Sequence, residues 1–387
     1  MTYAGNRTMN DADAHIMERA DWLAAHADPS LRDRLPPYLA GDEVGLRTLR
    51  EAMAAHALRG TDPAERARAE TELMAMPRKG WHGLGAFDVE ERTRALDLLG
   101  FESQLLFPTF AFNQFAFTND EEVLVGGTRA LNRGMAEYGQ ADARLLPVGF
   151  VPLRLGPERS GALIDEAFAL GCKTVLVEMV APDGARSFSH RAYDPIWARF
   201  AERRTPFVLH VGAEGALRPV PLSFTNNGHP RMPRNDDAPR DAHALTAVGF
   251  APMLFLSALV FDGVFARFPA LRCGVTELGA SWVPSFLRQL DHSFRAFKRL
   301  QPELQALPEP PSETIRRQVK FTPFAGEDVG WLIEQSGDEL FLFSSDYPHH
   351  EGTDDPVRRF DATLKSTPPA AIERFYCKNF DVLFASA

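Results

Sequence analysis

An aspartate that directly follows an apolar run is the strongest chemical signal in this chain. Residues 343–350 read FSSDYPHH, so Asp346 ends a candidate strand and Pro348 stops further strand pairing. A carboxylate at the end of a buried parallel strand can bind a metal ion, transfer a proton, or do both in turn. His349 follows closely enough to bond a metal ligand or supply a proton. The segment alone leaves one alternative open, in which Asp346 only caps the next turn.

A second group of candidate ligands lies near the N-terminus. Residues 11–18 read DADAHIME, and alternation along an extended segment places Asp11, Asp13 and His15 on one face. Asp13 and His15 could therefore reach the same ion. Glu18 follows just beyond, where it could contact the substrate or simply begin a helix. A solvated polar tail is the other interpretation of the whole run.

Two further polar side chains end apolar runs elsewhere. His210 follows FVL at 207–209, and Glu277 follows VT at 275–276. A lone histidine on an apolar strand is more often a hydrogen-bonded core residue than a ligand. A glutamate at the end of a buried strand is costly unless it pairs with an arginine or binds a metal ion. Each residue alone therefore has a structural interpretation.

Taken together, these strand-ending groups predict a metal site. Catalytic metal sites are assembled from imidazole and carboxylate groups at the ends of separate strands. We expect one divalent metal ion, held by Asp13, His15, His210, Asp346 and Glu277. The catalytic groups would be Asp346, Glu277 and His349.

The elements that must position these residues alternate between short apolar runs and helical segments. After the opening segment at 11–15, the candidate strands are 104–109, 145–153, 173–179, 206–211, 271–278, 319–321 and 339–345. Candidate helices between them are 90–99, 157–170, 194–204, 283–300 and 327–335. Strict alternation of this kind predicts an α/β fold, a (β/α)8 TIM barrel, with a doubly wound open sheet as the alternative.

Two long segments interrupt the alternation and would be insertions after strands 1 and 5. They are residues 16–87 and residues 212–241. Long loops in compact domains are commonly lids or binding loops. We expect His229, in the second, to contact substrate. No interdomain linker is visible, so residues 1–387 are predicted to form a single domain.

Composition excludes several classes of function. The net charge is −10, with 42 Lys and Arg against 52 Asp and Glu, which argues against nucleic acid as the main partner. The chain has three cysteines, an odd number, which argues against a small protein held together by disulfides. The most apolar stretch, 248–268, is interrupted by Pro252, Asp262 and Arg267, so no membrane span is expected. The start of the chain lacks the apolar region of a signal peptide, and we expect a cytoplasmic protein.

The ordered set of motifs resembles the aminocarboxymuconate-semialdehyde decarboxylase-like branch of the amidohydrolase-related family (amidohydrolase 2 type). The resemblance covers nearly the whole chain, from Asp11 to Phe384. Its motifs are Asp-x-His at 13–15, LFPT at 106–109, LGCK at 170–173, LHV at 209–211, RFP at 267–269, SDYPH at 345–349 and KNF at 378–380.

The resemblance implies a metal-dependent TIM barrel, and it assigns the sites residue by residue. Asp13 and His15 would be first-strand ligands, His210 the fifth-strand ligand, and Asp346 the eighth-strand ligand and proton-transfer group. Glu277 departs from the pattern, because many members have a histidine there that orients water or substrate. The detailed mechanism therefore cannot be carried over.

The sequence thus predicts a metal-dependent hydrolase that acts on a small, aromatic or ring-cleavage-derived carboxylate or carbonyl compound. A non-oxidative aromatic acid decarboxylase or a hydratase on the same site is the alternative among enzymes, and a metal-free binding barrel is the alternative outside them. Zinc is the default metal, while the oxygen-rich ligand set also suits manganese or iron. The resemblance further implies a homodimer.

Overall fold

Seven parallel strands form one sheet, and their order in the sheet follows their order in the sequence. The computed structural model describes residues 2–73, 79–180, 186–213, 228, 241–349 and 354–384. The strands are β1 (Asn10–His15), β2 (Ser103–Phe107), β3 (Leu145–Val151), β4 (Thr174–Val177), β5 (Phe207–His210), β6 (Cys273–Thr276) and β7 (Val319–Phe321).

The segment at 340–347 lies between the two edge strands and hydrogen-bonds to both. Leu342 N–H donates to the Phe321 carbonyl of β7 at 2.9 Å, and Ala12 N–H of β1 donates to the Phe343 carbonyl at 3.0 Å. The sheet therefore curls in the manner of a TIM barrel. This curled parallel sheet confirms the predicted α/β class.

The predicted strand at 339–345 is not a regular ladder: it forms one isolated bridge, Phe321 with Phe341, and a second bridge, Ala14 with Tyr347, lies just beyond it. The reason is that neighbouring N–H groups have other partners. Phe343 N–H donates to the Phe375 carbonyl, and Ser345 N–H donates to the Asp11 side chain.

Helices connect the strands, as parallel pairing requires. Those before β5 are α1 (Trp22–His26), α2 (Glu43–Thr61), α3 (Pro63–Thr71), α4 (Val89–Leu99), α5 (Glu121–Gly139), α6 (Pro157–Leu170) and α7 (Asp194–Arg203). Those after it are α8 (Ala242–Ala247), α9 (Phe250–Phe261), α10 (Val264–Arg267), α11 (Val283–Phe297), α12 (Pro302–Gln305), α13 (Pro311–Gln318), α14 (Val329–Ser336), α15 (Pro356–Thr363), α16 (Pro369–Glu373) and α17 (Asn379–Leu383). Short 3-10 turns and one π-helical turn, Arg374–Lys378, complete the chain.

Helix ends largely match the sequence signals. Gly100 and Gly171 take the left-handed conformation after α4 and α6, with φ of 72° and 114°. The helix predicted at 194–204 begins at Asp194 as α7, with Tyr193 as its N-cap. The Asp194 carboxylate pairs with Arg267 at 2.7 Å.

Most of the interior is apolar, but one buried strand contains several ionisable side chains. Val175, Phe207 and Val275 on the strands pack in one cluster with Trp197 and Leu287 on the helices. By contrast, all six residues of β1 are buried, and their sequence is NDADAH. Charged groups at such positions are costly unless they are paired or bind a metal ion, so β1 calls for a chemical explanation.

The two predicted insertions differ in how much of them the structure describes. Residues 16–87 hold α1 to α3, and the Trp81 indole N–H donates to the Glu18 carbonyl at 3.0 Å. Most of the predicted insertion at 212–241 lies outside the described residues.

Among the described residues, one helical stretch is long and apolar enough to cross a membrane by length and composition. It is Ala242–Phe261, in which an 18-residue window has a mean hydropathy of 2.1 and is 44% buried. Phe255 and Leu259 on one side pack into the core, whereas Phe250 and Leu254 are exposed. A partly buried core helix passes the same test, so the expectation of no membrane stays a prediction.

Candidate metal centre

The carboxyl ends of β1, β5, β6 and the 340–347 segment meet at one point. Asp13 and His15 come from β1, His210 is the last residue of β5, and Glu277 follows β6. Asp346 lies near the end of the 340–347 segment, which joins β7 to β1. The sequence predicted that these five side chains would lie together, and the structure brings all five together with His349.

Two overlapping groups of ligand atoms define the centre. One atom each from Asp13, His15, His210 and Glu277 lie within 4.8 Å of one another. The Nε2 atom of His15 is 3.2 Å from Asp13 Oδ1, and the Nε2 atom of His210 is 3.2 Å from Glu277 Oε2. A second group, within the same limit, consists of one atom each from His15, Glu277, Asp346 and His349.

The donor set fits a divalent cation. Asp13 Oδ1, His15 Nε2, His210 Nε2 and Glu277 Oε2 are buried and make no hydrogen bond of acceptable geometry. Unsatisfied buried polar atoms are rare in native proteins, and four that converge are accounted for by an ion among them. Imidazole nitrogen with carboxylate oxygen suits zinc, manganese or iron.

Hydrogen bonds on the far side of each imidazole orient both rings toward the centre. The Nδ1 atom of His210 lies 2.9 Å from the Val211 carbonyl oxygen, which can only accept. The Thr109 hydroxyl donates to the Ile16 carbonyl at 2.7 Å, which leaves its oxygen to accept from His15 Nδ1 at 3.3 Å. Both rings therefore direct Nε2 at the centre, as in bound metal ligands.

Electrostatics keeps the carboxylates ionised and one imidazole neutral. Burial would raise the pKa of Asp13 and of Glu277, but the adjacent histidines outweigh it and lower both pKa values. Burial and the nearby His349 lower the pKa of His15. The pKa of His210 is raised, because Asp13 and Glu277 outweigh its burial. Ionised carboxylates and neutral imidazole are the forms that bind a metal ion.

Two of the site carboxylates have strained backbone conformations. In the described part of the chain, the non-glycine residues with positive φ are Arg204, Glu277 and Asp346, at 51°, 50° and 53°. Such conformations cost about 1–3 kcal/mol each and are concentrated at functional sites. Glu277 N–H donates to Thr322 Oγ1 at 3.0 Å, which helps to hold its conformation.

A cavity of about 740 Å³ opens onto the centre. Asp13, Glu277 and Asp346 lie at one end of it, and the rest of the lining is mostly apolar. Concave, largely apolar cavities with a few convergent polar groups are the usual form of a small-molecule site.

The sequence profile of a family described as Amidohydrolase matches residues 11–379. The chain belongs to the amidohydrolase family. No protein among those with curated descriptions matches it significantly.

Solved structures similar to this amidohydrolase show the same fold over their whole length. An amidohydrolase from Mycobacterium avium subsp. paratuberculosis K-10 is 23% identical with a TM-score of 0.72, over 98% of this chain and 99% of that one. The 5-carboxyvanillate decarboxylase of Novosphingobium aromaticivorans, with bound manganese and 3-methoxy-4-hydroxy-5-nitrobenzoic acid, is 18% identical with a TM-score of 0.64, over 100% and 99% of the two chains. A dihydroxybenzoic acid decarboxylase of Polaromonas sp. JS666, with bound manganese and 2-nitroresorcinol, is 17% identical with a TM-score of 0.58, over 98% and 97%.

The two residues predicted to contact substrate have different outcomes in this amidohydrolase. His229 lies outside the described residues. The carboxylate of Glu18 is buried and accepts hydrogen bonds from the N–H groups of Thr109 and Phe110, at 3.1 and 2.9 Å. It therefore holds the loop after β2 in place, and its contact with substrate stays a prediction.

The sequence analysis assigned no role to three supporting residues. Asp11, on the same run as the ligands, accepts from the Ser345 hydroxyl at 2.6 Å and from the Gln104 amide at 2.8 Å. Arg154 and Glu178, which follow β3 and β4, form an ion pair near the same end of the sheet, in which Glu178 is buried and Arg154 partly buried. The position of Glu178 directly after the apolar strand β4 was a signal available in the sequence.

Proposed function

We propose that this amidohydrolase is a metal-dependent, non-oxidative decarboxylase of aromatic acids. The observation that carries the proposal is the buried His and carboxylate cluster, with Asp346 beside it, at the end of a largely apolar cavity. The manganese-containing aromatic acid decarboxylases among the similar structures support decarboxylation over hydrolysis. In this proposal the segment at 340–347 serves as the eighth strand of a complete (β/α)8 barrel.

Asp13, His15, His210 and Glu277 would hold the ion, with Asp346 at its edge. A bound divalent cation supplies Lewis-acid attraction for the substrate carboxylate and a neighbouring oxygen. Manganese is the first metal to test, because three of these five side chains are carboxylates and similar structures contain it. Zinc and iron are the other candidates.

Asp346 would carry the proton. Its Oδ1 atom lies 3.5 Å from His15 Nε2 and 3.0 Å from His349 Nδ1. As the bond between the ring carbon and the carboxylate breaks, the electron pair stays on the ring carbon, which takes the proton of the Asp346 carboxyl group. Carbon dioxide leaves, and Asp346 recovers its proton through His349 or solvent. A positioned acid of this kind contributes about 10²–10⁴-fold to the rate.

Hydrolysis is the second candidate, favoured by the sequence analysis and by the family's name. Asp346 would then accept a proton from water during attack on a carbonyl group, and Glu277 could divide the acid and base roles with it. The proposed substrate class, in either case, is a small aromatic or ring-cleavage-derived acid or carbonyl compound. A cytoplasmic homodimer remains part of the proposal.

The test is product analysis on protein loaded with Mn²⁺ or Zn²⁺. The substrates are 2,6-dihydroxybenzoate, 5-carboxyvanillate and salicylate for carbon dioxide release, with dihydrocoumarin and phenyl acetate for hydrolysis. Metal-dependent carbon dioxide release that is lost in Asp346→Asn would support decarboxylation. Hydrolysis without carbon dioxide release would replace it with the second candidate.

A further inference from the structure

The cavity at the metal centre is larger than a single-ring acid needs. Cavities of about 300–1,000 Å³ accommodate drug-sized ligands, and this one has a volume of about 740 Å³. One end presents the carboxylates of the centre. The remaining wall includes Phe250, Met253, Trp282 and Phe324. The carboxylate end and the apolar wall differ in chemistry, so a ligand that fills the cavity must also have two unlike parts.

Two large apolar side chains of this wall are exposed to solvent. Leu245 and Phe250 line the cavity and are 50% and 46% exposed. Exposed apolar residues that lie together around a concavity mark a binding surface more often than isolated ones do. A ligand with an apolar body would cover both side chains and remove their surface from water.

Hydrogen bonds fix the loops that form the wall. The carboxylate of Glu327 accepts hydrogen bonds from the N–H groups of Ala280, Ser281 and Phe324, at 2.9, 2.6 and 2.7 Å. It thereby ties the loop after β6 to the loop after β7. The Trp282 indole N–H donates to the Leu278 carbonyl at 3.0 Å. The Trp282 ring and the backbone at Phe324 are therefore held before a ligand arrives, which reduces the entropy cost of binding.

The charges of the wall indicate that the apolar part of the ligand carries no charge. Among the described residues that line the cavity, Arg359 is the one basic side chain, and it pairs with Asp354 at 3.1 Å. Asp241 and Glu327 add negative charge to the same wall. A second carboxylate at this end of a substrate would face like charges, so the body should be uncharged.

We infer that the substrate consists of an acidic head at the metal centre and an uncharged apolar body, of at least one further ring, on Phe250, Met253, Trp282 and Phe324. The inference rests on the proposed function for the head alone. The body is recognised by the wall whatever reaction takes place at the centre.

Calorimetry on Mn²⁺-loaded protein tests the inference with matched probes. Salicylate represents the head, and 4-phenylsalicylate and 5-phenylsalicylate add the body in two directions. At least one of them should bind about tenfold or more tighter than salicylate, from the apolar area buried. A carboxylate added to the outer ring should remove the gain.

A bulky residue introduced at Gly326 supplies the matching variant. A Cβ atom at Gly326, which lines the cavity, meets open space within 4 Å. Gly326→Trp should therefore fill the apolar end without strain and abolish the advantage of the phenylsalicylates. Gly60→Trp, in α2 and equally open, is the control and should retain it.

A probe without a carboxylate separates the two proposals. 4-Phenylphenol should bind the wild type and bind Gly326→Trp at least fivefold more weakly. If it does so while salicylate shows no metal-dependent binding, the proposed function fails and the apolar subsite stands. If salicylate binds but the phenyl ring adds nothing and 4-phenylphenol does not bind, the subsite is overturned and the proposed function stands.

Discussion

The backbone N–H of Asp346 donates a hydrogen bond to the carbonyl oxygen of Asp13 at 2.8 Å. This bond joins the backbones of two residues of the centre that come from opposite ends of the chain. His15 N–H makes a similar bond to the Tyr347 carbonyl, also at 2.8 Å. The first strand and the last barrel segment are thus held in one register, so the metal centre forms only when both ends of the fold are in place.

Replacement of Asp346 by asparagine should separate chemistry from binding. The amide keeps an oxygen near the centre but cannot transfer a proton, so kcat should fall by about 10²–10⁴-fold. Binding of salicylate, measured by calorimetry, should change by less than about tenfold. Asp328→Asn is the control, because asparagine also caps a helix and Asp328 lies at the start of α14. A loss of kcat below threefold in Asp346→Asn would remove it from the proton transfer.

Thr109 should matter through the two histidines that it contacts. Its hydroxyl oxygen lies 3.3 Å from His15 Nδ1 and 2.9 Å from His349 Nε2. Thr109→Val removes both contacts and should lower metal affinity or kcat by about 10–100-fold. Thr109→Ser retains the hydroxyl and should stay within about threefold. Titration with Mn²⁺ and steady-state rates measure the two effects, and equal behaviour of valine and serine would contradict the assignment.

Glu277 should act as a ligand. Glu277→Gln removes one negative charge from the set and should weaken Mn²⁺ binding by about 10–100-fold. Exposed Glu334, changed to glutamine in the same way, is the control. Unchanged Mn²⁺ affinity in Glu277→Gln with a reduced rate would restrict Glu277 to proton transfer.

The stability of the metal-free protein should depend on pH through Glu18. Burial outweighs the backbone hydrogen bonds and raises the pKa of Glu18 to about 7 from 4.5. The folded state then favours the neutral acid, so the Glu18 contribution is fully present below pH 4.5 and is lost as pH rises toward 7. Relative to Glu18→Gln, the free energy of unfolding of the wild type should fall by about 3 kcal/mol between pH 4.5 and 7.

Urea denaturation of wild type and Glu18→Gln, both in EDTA, measures this difference between pH 5 and pH 8. Because the glutamine cannot titrate, other groups cancel in the comparison. A difference that stays constant with pH would show that Glu18 is already ionised at pH 5.

The sequence was most informative where imidazole and carboxylate side chains lie at the ends of strands. His210, Glu277 and Asp346 each follow or end an apolar run, whereas Asp13 and His15 alternate along the first strand, and parallel strands bring their carboxyl ends together. The apolar wall could not be predicted in this way. Phe250 lies at the start of α9 and Trp282 immediately before α11, and such apolar residues are indistinguishable, in sequence, from core residues.

Where single residues differ from the sequence-based prediction, specific contacts in the folded chain are the cause. The segment at 339–345 has the composition of a strand, yet its N–H groups bond to Phe375 and Asp11, which depends on tertiary contacts. Similarly, the sequence offered an arginine as the alternative partner of Glu277, whereas Glu277 Oε2 lies 3.2 Å from His210 Nε2. Positive φ at Glu277 and Asp346 has no signal in the sequence, because neither residue is glycine.

The central claim is that Asp13, His15, His210 and Glu277 hold one divalent metal ion. Elemental analysis by ICP-MS of purified wild type beside His210→Ala, each also reconstituted with Mn²⁺ and Zn²⁺, tests it directly. The account predicts about one ion per chain in the wild type and a loss of most of it in the variant, with circular dichroism showing that both proteins are folded. No bound metal in reconstituted wild-type protein, or equal metal in the folded variant, would contradict the account.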